Sequence, residues 1–273
     1  MNEFIHIMTL PLLACLVLAG IHAYLGFHVI ERQVIFVDLA LAQIAVLGAS
    51  LALIAGYDLD SAQSYALSLG FTIVGAGIFS LTRFEKERVP QEAVIGIVYA
   101  VAAAILVIVL SRSAEGDEHI KQALTGNILL VSTPEVVKMA MIYFFVGVLH
   151  FIFRDKFFAI SQDPEQAFKK GINVRGWDFL FYVLFGLVVT SSVKIAGVLL
   201  VFSFLVVPSV CAIVFSENLK TRLVIGWCVG FVASVLGMAA SYFLDFPAGA
   251  AVVCVFGLIL ILMSFISRIN KNH

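Results

Sequence analysis

Long apolar stretches of membrane-spanning length are the feature that most constrains how this chain can fold. A transmembrane helix needs roughly 20 predominantly apolar residues. Nine stretches come close to that length: Ile5–Phe27, Val34–Gly56, Ala62–Thr82, Glu92–Ser111, Val136–Phe153, Trp177–Ser192, Ile195–Ser216, Leu223–Leu244 and Ala248–Ile266. Their hydrophobicity is continuous, which excludes a membrane barrel of short alternating segments. We therefore predict an all-α polytopic membrane protein.

The number of helices depends on one short interruption. Only Val193 and Lys194 separate the sixth and seventh stretches. They allow either two helices joined by a tight turn or one broken helix, so the sequence predicts eight or nine transmembrane helices. No composition shift marks a domain boundary, and we expect residues 1–273 to form a single transmembrane domain.

The overall composition agrees with this class of protein. Of the 273 residues, 62% are apolar and 13% are charged, whereas soluble domains average about 45–50% and about 25%. The net charge of −1 gives no indication of a nucleic-acid partner, and none is predicted. The four cysteines lie in apolar runs without paired spacing, and we interpret them as packing residues: Cys15, Cys211, Cys228 and Cys254.

The lysines and arginines predict the orientation in the membrane. The connections at 28–33, 83–91, 154–176 and 217–222 and the tail after 267 carry 13 of the 17 basic residues. Short loops rich in Lys and Arg stay in the cytoplasm. The N-terminus is then outside and the C-terminus cytoplasmic, which favours nine crossings.

Two connections are long enough to carry structure of their own. Residues 112–135, on the outer side, have apolar positions that indicate a short helix or a re-entrant segment. Residues 154–176, on the cytoplasmic side, contain Asp163 as a helix cap, Pro164 at the first helical position and Gly171 at the helix end. This pattern predicts a surface helix of about two turns.

The sequence lacks the motifs of an enzyme or a motor. It contains no G-x-x-x-x-G-K-[ST] loop, no H-E-x-x-H and no C-x-x-C, so we predict neither catalysis nor ATP binding by this chain. Three classes remain: a channel, an ion-driven carrier, and the membrane half of a pump that another subunit powers. The predicted cytoplasmic helix suits the last class, because an external motor needs a protruding element to push.

Six segments in order along the chain resemble one family of membrane proteins. They are FVDLALAQIAVLGASLAL, EAVIGIVYAVAAAILVIVLS, ALTGNILLVSTPEV, ISQDPEQAFKKGINV, SSVKIAGVLLVFSFLVVPSVCA and GMAASYFLDFPAGAAVV. The chain is similar over nearly its whole length to the permease subunits of bacterial ATP-binding-cassette (ABC) importers for manganese, zinc and iron chelates.

The resemblance implies both architecture and partners. It implies an all-helical permease in the bacterial cytoplasmic membrane that pairs with a second copy of itself. Two cytoplasmic ATPase subunits, which carry ATP and Mg²⁺, would dock below, and an extracytoplasmic metal-binding protein above. No cofactor is expected on this chain. Asp163–Gly171 would be the coupling helix, with Asp163, Pro164, Glu165, Ala167 and Gly171 as its candidate residues; an ordinary lipid-surface helix is the alternative.

The resemblance also implies a substrate class. Zinc or manganese is expected first, and an iron chelate or another small metal complex is the alternative within the family. An ion-coupled secondary carrier is a weaker alternative. It would need acids buried in mid-membrane, whereas every Asp and Glu lies near a helix end or in a loop.

The metal path has a candidate motif in the second stretch. Many family members carry Asp-x-x-x-His there before a Pro-Gly or Leu-Gly, and residues four apart share a helix face that can bind a divalent cation. Alignment on Gly48 puts Gln43 at the histidine and Leu39 at the acid, with Asp38 one residue early. Asp38 and Gln43 then point about 140° apart. This departure argues against a bare zinc site, because zinc favours imidazole and thiolate.

Asp38, Gln43 and Glu92 are the candidate path residues, and each also has a structural interpretation. Asp38 lies near a helix N-terminus, where the helix dipole favours a carboxylate, and its alternatives are contact with headgroups or a pair with Arg32. Gln43 is expected to hydrogen-bond across helices. Glu92 follows Pro90 at a helix start, where an acid is expected anyway.

Two further polar residues, and a set of glycines, have structural interpretations. We interpret His22 as a packed or interfacial side chain and Asp245 as a turn acid before Pro247, with a metal ligand and a cation guide as the respective alternatives. Small residues let membrane helices approach closely. We expect close approaches at five glycines of the third and eighth stretches: Gly70, Gly75, Gly77, Gly230 and Gly237.

Overall fold

The structure of this chain is a computed structural model, and it describes residues 2–83, 89–111 and 116–271. Within these ranges the chain is helical and contains eleven α-helices and one 3-10 turn, Ile128–Leu130. The helices are α1 (Asn2–Glu31), α2 (Val37–Ile54), α3 (Ala62–Leu81), α4 (Gln91–Leu110), α5 (Gly116–Thr125), α6 (Thr133–Ile152), α7 (Arg154–Gln162), α8 (Pro164–Lys169), α9 (Val174–Phe215), α10 (Leu219–Leu244) and α11 (Ala248–Lys271).

Eight of the described helices are long and apolar enough to cross a membrane: α1, α2, α3, α4, α6, α9, α10 and α11. This confirms the multi-pass, all-helical prediction. The sixth and seventh apolar stretches lie in α9, a run of 42 residues in which two helical parts are joined at a kink. The prediction that the N-terminus is outside and the C-terminus cytoplasmic, with nine crossings, stays a prediction.

The break in α9 lies at Gly197, not at Val193 and Lys194. Helical hydrogen bonding continues past these two residues, and the backbone leaves helical values at Gly197, with φ 76° and ψ 161°. A side chain would be strained at that positive φ, so glycine is the residue that fits there. The parts on either side, 174–196 and 198–215, are about 34 and 27 Å long at 1.5 Å per residue.

The helices divide between two compact units. One contains residues up to Ile30 together with Leu124–Tyr143 and residues from Lys194 onward. The other contains Glu31–Ala123 and Phe144–Val193. The single domain over residues 1–273 stays a prediction.

In the first unit, the segment after α5 packs on the break in α9. The Asn127 amide donates a hydrogen bond to the Ile195 carbonyl at 3.1 Å. A Cβ built on Gly126 would lie 2.2 Å from the Ala196 carbonyl carbon, and one on Gly197 would lie 2.3 Å from the Gly126 nitrogen. The two backbones therefore touch, and this contact supplies a donor to a carbonyl beside the break.

In the second unit, α2 packs between α3 and α4. A Cβ on Gly48 of α2 would lie 2.8 Å from the Leu67 carbonyl oxygen of α3. On the α4 side, Leu47 packs in a buried cluster with Leu106 and Leu110. Twelve residues of α2 are buried, which makes this helix the centre of its unit and places the candidate path residues Asp38 and Gln43 inside the protein.

The glycine prediction is right in part. A Cβ on Gly75 would lie 2.7 Å from Ile44 Cδ1, one on Gly230 2.8 Å from Ala19 Cβ, and one on Gly237 2.5 Å from Val252 Cα. At Gly70 the prediction is wrong, because a Cβ there would have no neighbour within 4 Å, and the nearest atom to one on Gly77 is 3.9 Å away. Spacing alone does not reveal which face of α3 packs.

We expect Gly126→Ala to destabilise the first unit, because the added methyl group would collide with the backbone of α9 at a residue whose φ is +64°. Overpacking costs about 1–3 kcal/mol and a left-handed non-glycine residue about 1–2 kcal/mol. Together they should lower the Tm of the purified chain in detergent by roughly 5–15 °C.

The matched control for this change is Gly147→Ala in α6, where nothing lies within 4 Å of the new methyl group. This variant should keep the parent Tm. Equal Tm values for the two variants would show that the contact between Gly126 and the break is not tight.

Candidate functional site

Two acids meet at the start of α2. Asp38 is the second residue of α2 and is buried, with 2% of its surface exposed. Glu92, the second residue of α4, accepts a hydrogen bond on Oε1 from the Phe36 amide at 3.0 Å. Phe36 is two residues before Asp38, so this hydrogen bond brings Glu92 to the same end of α2. The sequence identified both acids but did not predict that they lie together.

Each acid of this pair has one oxygen without a hydrogen-bond partner among the described residues. Within the part of the chain that the structure describes, Asp38 Oδ1 and Glu92 Oε2 are buried and accept no hydrogen bond. Arg32 does not pair with Asp38, so that alternative is wrong; Arg32 pairs with Asp178. Two neighbouring carboxylates with free oxygens favour a shared proton or a bound cation. Carboxylates suit Mn²⁺, Mg²⁺ and Ca²⁺.

Gln43 is buried farther along α2 but does not join this pair in one site. Helix α2 is uninterrupted from Val37 to Ile54, so Asp38 and Gln43 leave it about 140° apart. The second acid near Asp38 is therefore Glu92, which belongs to a different helix, α4. Glu92 lies in the first turn of α4, which agrees with its structural interpretation, and its hydrogen bond to Phe36 is an additional contact at the start of α2.

No larger metal cluster accompanies the pair. Among the residues that the structure describes, no three His, Cys, Asp or Glu side chains are grouped so that they could hold a metal ion. His22 is fully buried, with Nδ1 2.8 Å from the Leu18 carbonyl oxygen of the same helix, which agrees with a packing role. Asp245 ends α10 in the left-handed conformation with φ 56°, which agrees with a turn role.

The segment 154–176 forms the short helix that the sequence predicts. Asp163 Oδ1 accepts a hydrogen bond from the Gln166 amide at 2.8 Å, and Pro164 is the first residue of α8. Gly171 follows the helix with φ 73°. The helix has six residues, slightly fewer than the two turns expected. Glu165 is exposed, and its Oε2 lies 4.0 Å from Lys169 Nζ.

An apolar cluster holds α8 against its neighbours. Ala167 of α8 is buried together with Ile160 of α7 and Val174 of α9. Phe168, Ile172 and Trp177 pack around them. The segment 154–176 is therefore one packed unit with an exposed polar face, and a force on α8 acts on α7 and on the start of α9.

A buried charge cluster lies next to this segment, and sequence analysis missed it. Arg32 Nη1 donates to Asp178 Oδ1, and Arg32 Nε donates to Ser161 Oγ at 2.7 Å. Arg83 Nε lies 3.9 Å from Asp178 Oδ2. The side chains of both arginines and of Asp178 are at most 4% exposed. The only sequence signal was a single acid, Asp178, at the start of an apolar stretch.

The fold and these features define a multi-pass membrane transport subunit. The profile of the family described as "ABC 3 transport family" matches residues 4–267. The chain therefore belongs to the ABC 3 transport family of metal ABC transporter permeases, and it is the membrane subunit, not the ATPase. This confirms the resemblance that the six segments carry.

Three known proteins illustrate the similarity. The Listeria innocua "Manganese transport system membrane protein MntC" is 28% identical over 71% of this chain and 71% of its own length. A Haemophilus influenzae "Probable iron transport system membrane protein" is 25% identical over 89% of this chain and 87% of its own length. A chain of the structure titled "PsaBC from Streptococcus pneumoniae in complex with Fab" superposes with a TM-score of 0.78 at 22% identity, covering 96% and 94% of the two chains.

We expect Asp163→Ala to loosen α8, because it removes the acceptor that satisfies the Gln166 amide. Loss of such a cap costs about 0.5–2 kcal/mol. Hydrogen exchange of the amides of residues 165–169 should then be faster by roughly 2- to 30-fold.

Asp163→Asn is the matched control, since its side-chain oxygen can still accept the hydrogen bond. It should retain most of the protection of the amides at 165–169. Protection that is the same in the alanine variant and in the parent would show that the apolar cluster alone holds the helix.

Proposed function

We propose that this chain is the homodimeric membrane subunit of an ABC importer that takes up a divalent metal ion, with manganese first. The 273 residues act as one permease domain in the bacterial cytoplasmic membrane, with the C-terminus in the cytoplasm. The metal arrives from an extracytoplasmic binding protein and crosses by alternating access. Family membership supports the transport class, and the pair Asp38–Glu92 is the observation that carries the choice of a cation.

The ligand chemistry of the pair favours manganese over zinc. Both side chains are carboxylates, and both have a buried oxygen that accepts no hydrogen bond from the described residues. Hard oxygen ligands suit Mn²⁺, whereas zinc sites are built mainly from imidazole and thiolate. Two carboxylates from one chain bind a cation weakly, which suits a transit position from which the ion must leave.

Iron is the second candidate cargo. The named iron-transport relative from Haemophilus influenzae covers more of this chain than the named manganese relative does, at a similar identity. Carboxylates also bind ferrous iron, so the pair does not exclude it. Zinc ranks third, because the histidine position of the family motif holds Gln43 here.

An external ATPase provides the energy in this proposal. ATP and Mg²⁺ bind to that partner, which docks on the exposed face of α8. The candidate contact residues are Asp163, Pro164, Glu165 and Gly171; the fifth candidate, Ala167, is buried and cannot touch the ATPase directly. The support is local: a capped helix with an exposed polar face, fixed on its buried side by Ala167. The cytoplasmic location of α8 is inferred from the distribution of lysines and arginines among the loops.

We expect Asp38→Asn, and separately Glu92→Gln, to reduce manganese uptake per molecule of permease at least about tenfold. Each change halves the negative charge of the pair and turns an acceptor oxygen into an amide donor, which a cation repels. The measurement is uptake of radioactive manganese into proteoliposomes that contain the complete transporter. Zinc and ferrous iron as competitors rank the cargo.

Asp58→Asn is the control for loss of one acid, because Asp58 is exposed beyond the other end of α2. It should leave uptake unchanged. If Asp38→Asn and Glu92→Gln both take up manganese at the parent rate per molecule, Asp38 and Glu92 have only a structural role.

Replacement of residues 163–171 by a Gly/Ser linker of the same length should abolish manganese uptake and transport-linked ATP hydrolysis. The linker removes the surface that the ATPase is proposed to push, while the membrane helices still insert. Membrane content of the variant, measured by immunoblot, is the control. Undiminished uptake by the linker variant would contradict the coupling assignment. In a separate test, uphill uptake by the permease alone in liposomes would favour a secondary carrier.

A further inference from the structure

A buried ion pair lies between the proposed coupling segment and the proposed metal path. We propose that Arg32 and Asp178 are positioning residues that relay the movement of α8 to the start of α2. This inference rests on the proposed function, because it presupposes that α8 receives the push. Neither residue touches the ATPase or the metal in this proposal; both act through the elements that they join.

Arg32 is held on three sides. Its Nη1 donates to Asp178 of α9, its Nε donates to Ser161 of α7 at 2.7 Å, and its guanidinium lies 3.9 Å from the centre of the Phe181 ring. The side chain is 1% exposed. Three different contacts fix both the position and the plane of the guanidinium, so Arg32 moves together with α7 and α9.

The coupling side of the relay is short. Ser161 is two residues before Asp163, the cap of α8, and it lies next to Ile160 of the apolar cluster. Asp178 follows directly after Trp177, which packs on the same cluster. Phe157 of α7 contacts Phe181 at a ring distance of 5.8 Å. Displacement of α8 therefore shifts both partners of Arg32.

The path side is equally short. Arg32 directly follows α1 and is joined to α2 by four residues, 33–36. This turn is tight: Gln33 has φ 55°, and the Val37 amide donates to the Val34 carbonyl at 3.1 Å. The Phe36 amide donates to Glu92. A shift of Arg32 is thus transmitted to Asp38 and Glu92, because the short hydrogen-bonded turn between them can deform only slightly.

A third helix end joins the same cluster. Arg83, just after α3, lies 3.9 Å from Asp178, and Arg175 Nε donates to the Arg83 carbonyl at 3.2 Å. Asp178 therefore contacts basic residues from two connections, one before α2 and one after α3. Because α2 packs on α3, a cluster that holds both ends can move the pair of helices as one body.

The chemistry of the pair distinguishes a relay from simple packing. Buried ion pairs are weak sources of stability, and apolar residues of similar size often replace them without loss. Their directional hydrogen bonds instead fix one arrangement. The pair should accordingly determine how much cargo moves for each ATP that is hydrolysed, and not only how much transporter is folded.

The decisive experiment measures the ratio of manganese transported to ATP hydrolysed by the complete transporter in proteoliposomes. Asp178→Asn should lower this ratio at least tenfold while ATP hydrolysis continues. The control is Asp155→Asn on α7, which removes an acid of an exposed ion pair with Arg154 in the same cytoplasmic segment. It should keep the parent ratio.

Asp178→Asn leaves Arg32 buried without its charged partner and could therefore misfold. A second variant separates the effect of misfolding from the loss of the relay. The double change Arg32→Met with Asp178→Leu removes both charges and keeps similar volumes. It should restore folded protein and ATPase binding, yet keep the ratio at least tenfold below the parent value. A parent ratio in this double variant would overturn the relay, as would loss of folded protein in both variants.

The Gly/Ser linker at 163–171 separates this inference from the proposed function. If the linker variant keeps transport-linked ATP hydrolysis, the coupling assignment fails and the relay fails with it. If the linker abolishes that activity but Asp178→Asn keeps the parent ratio, the relay alone is wrong. A low ratio in Asp178→Asn together with an inactive linker variant supports both.

Discussion

The constraint on which this structure depends is that hydrocarbon offers no partner to a backbone polar group. Every helix that crosses a bilayer must satisfy its amides and carbonyls within the protein. The break in α9 at Gly197 exposes this requirement, because a break frees backbone groups. The segment after α5 meets it: Asn127 donates to the Ile195 carbonyl, and Gly126 lets the two backbones come close enough. Irregular backbone is tolerated here because other backbone covers it.

Buried charged side chains also need partners within the protein, and two groups of them differ in whether they have such partners. The Arg32–Asp178 pair is compensated by opposite charge, by the Ser161 hydroxyl and by an aromatic face. Asp38 and Glu92 lie near the start of the same helix, and each has a buried oxygen that accepts no hydrogen bond from the described residues. Uncompensated charge inside a membrane is costly and marks functional positions. The first group holds its charges in place, and the second is the pair that we propose to receive a cation.

Much of the fold could be read from the sequence, and the limits of that reading have physical causes. Hydrophobic length identified the spanning helices, and cap chemistry at Asp163, Pro164 and Gly171 identified α8. The break in α9 was placed at Val193 and Lys194 because a lysine interrupts the apolar pattern. Lysine is compatible with a helix, whereas the break needs a positive φ, which glycine provides at position 197. Asp178 went unnoticed because its partners, Arg32 and Arg83, are more than 90 residues away in sequence.

The cation path that we propose does not need the histidine of the family motif. With Gln43 at the histidine position, α2 alone cannot provide two strong ligands. A carboxylate from α4 stands beside Asp38 instead, held there by its hydrogen bond to the Phe36 amide. That bond makes the position of Glu92 depend on the turn before α2, and this turn begins at Arg32. Ligand geometry and the buried ion pair are therefore linked through four residues of backbone. In the relay that we propose, a shift of the segment 154–176 changes the position of Glu92 relative to Asp38 without any change in the chemistry of either side chain.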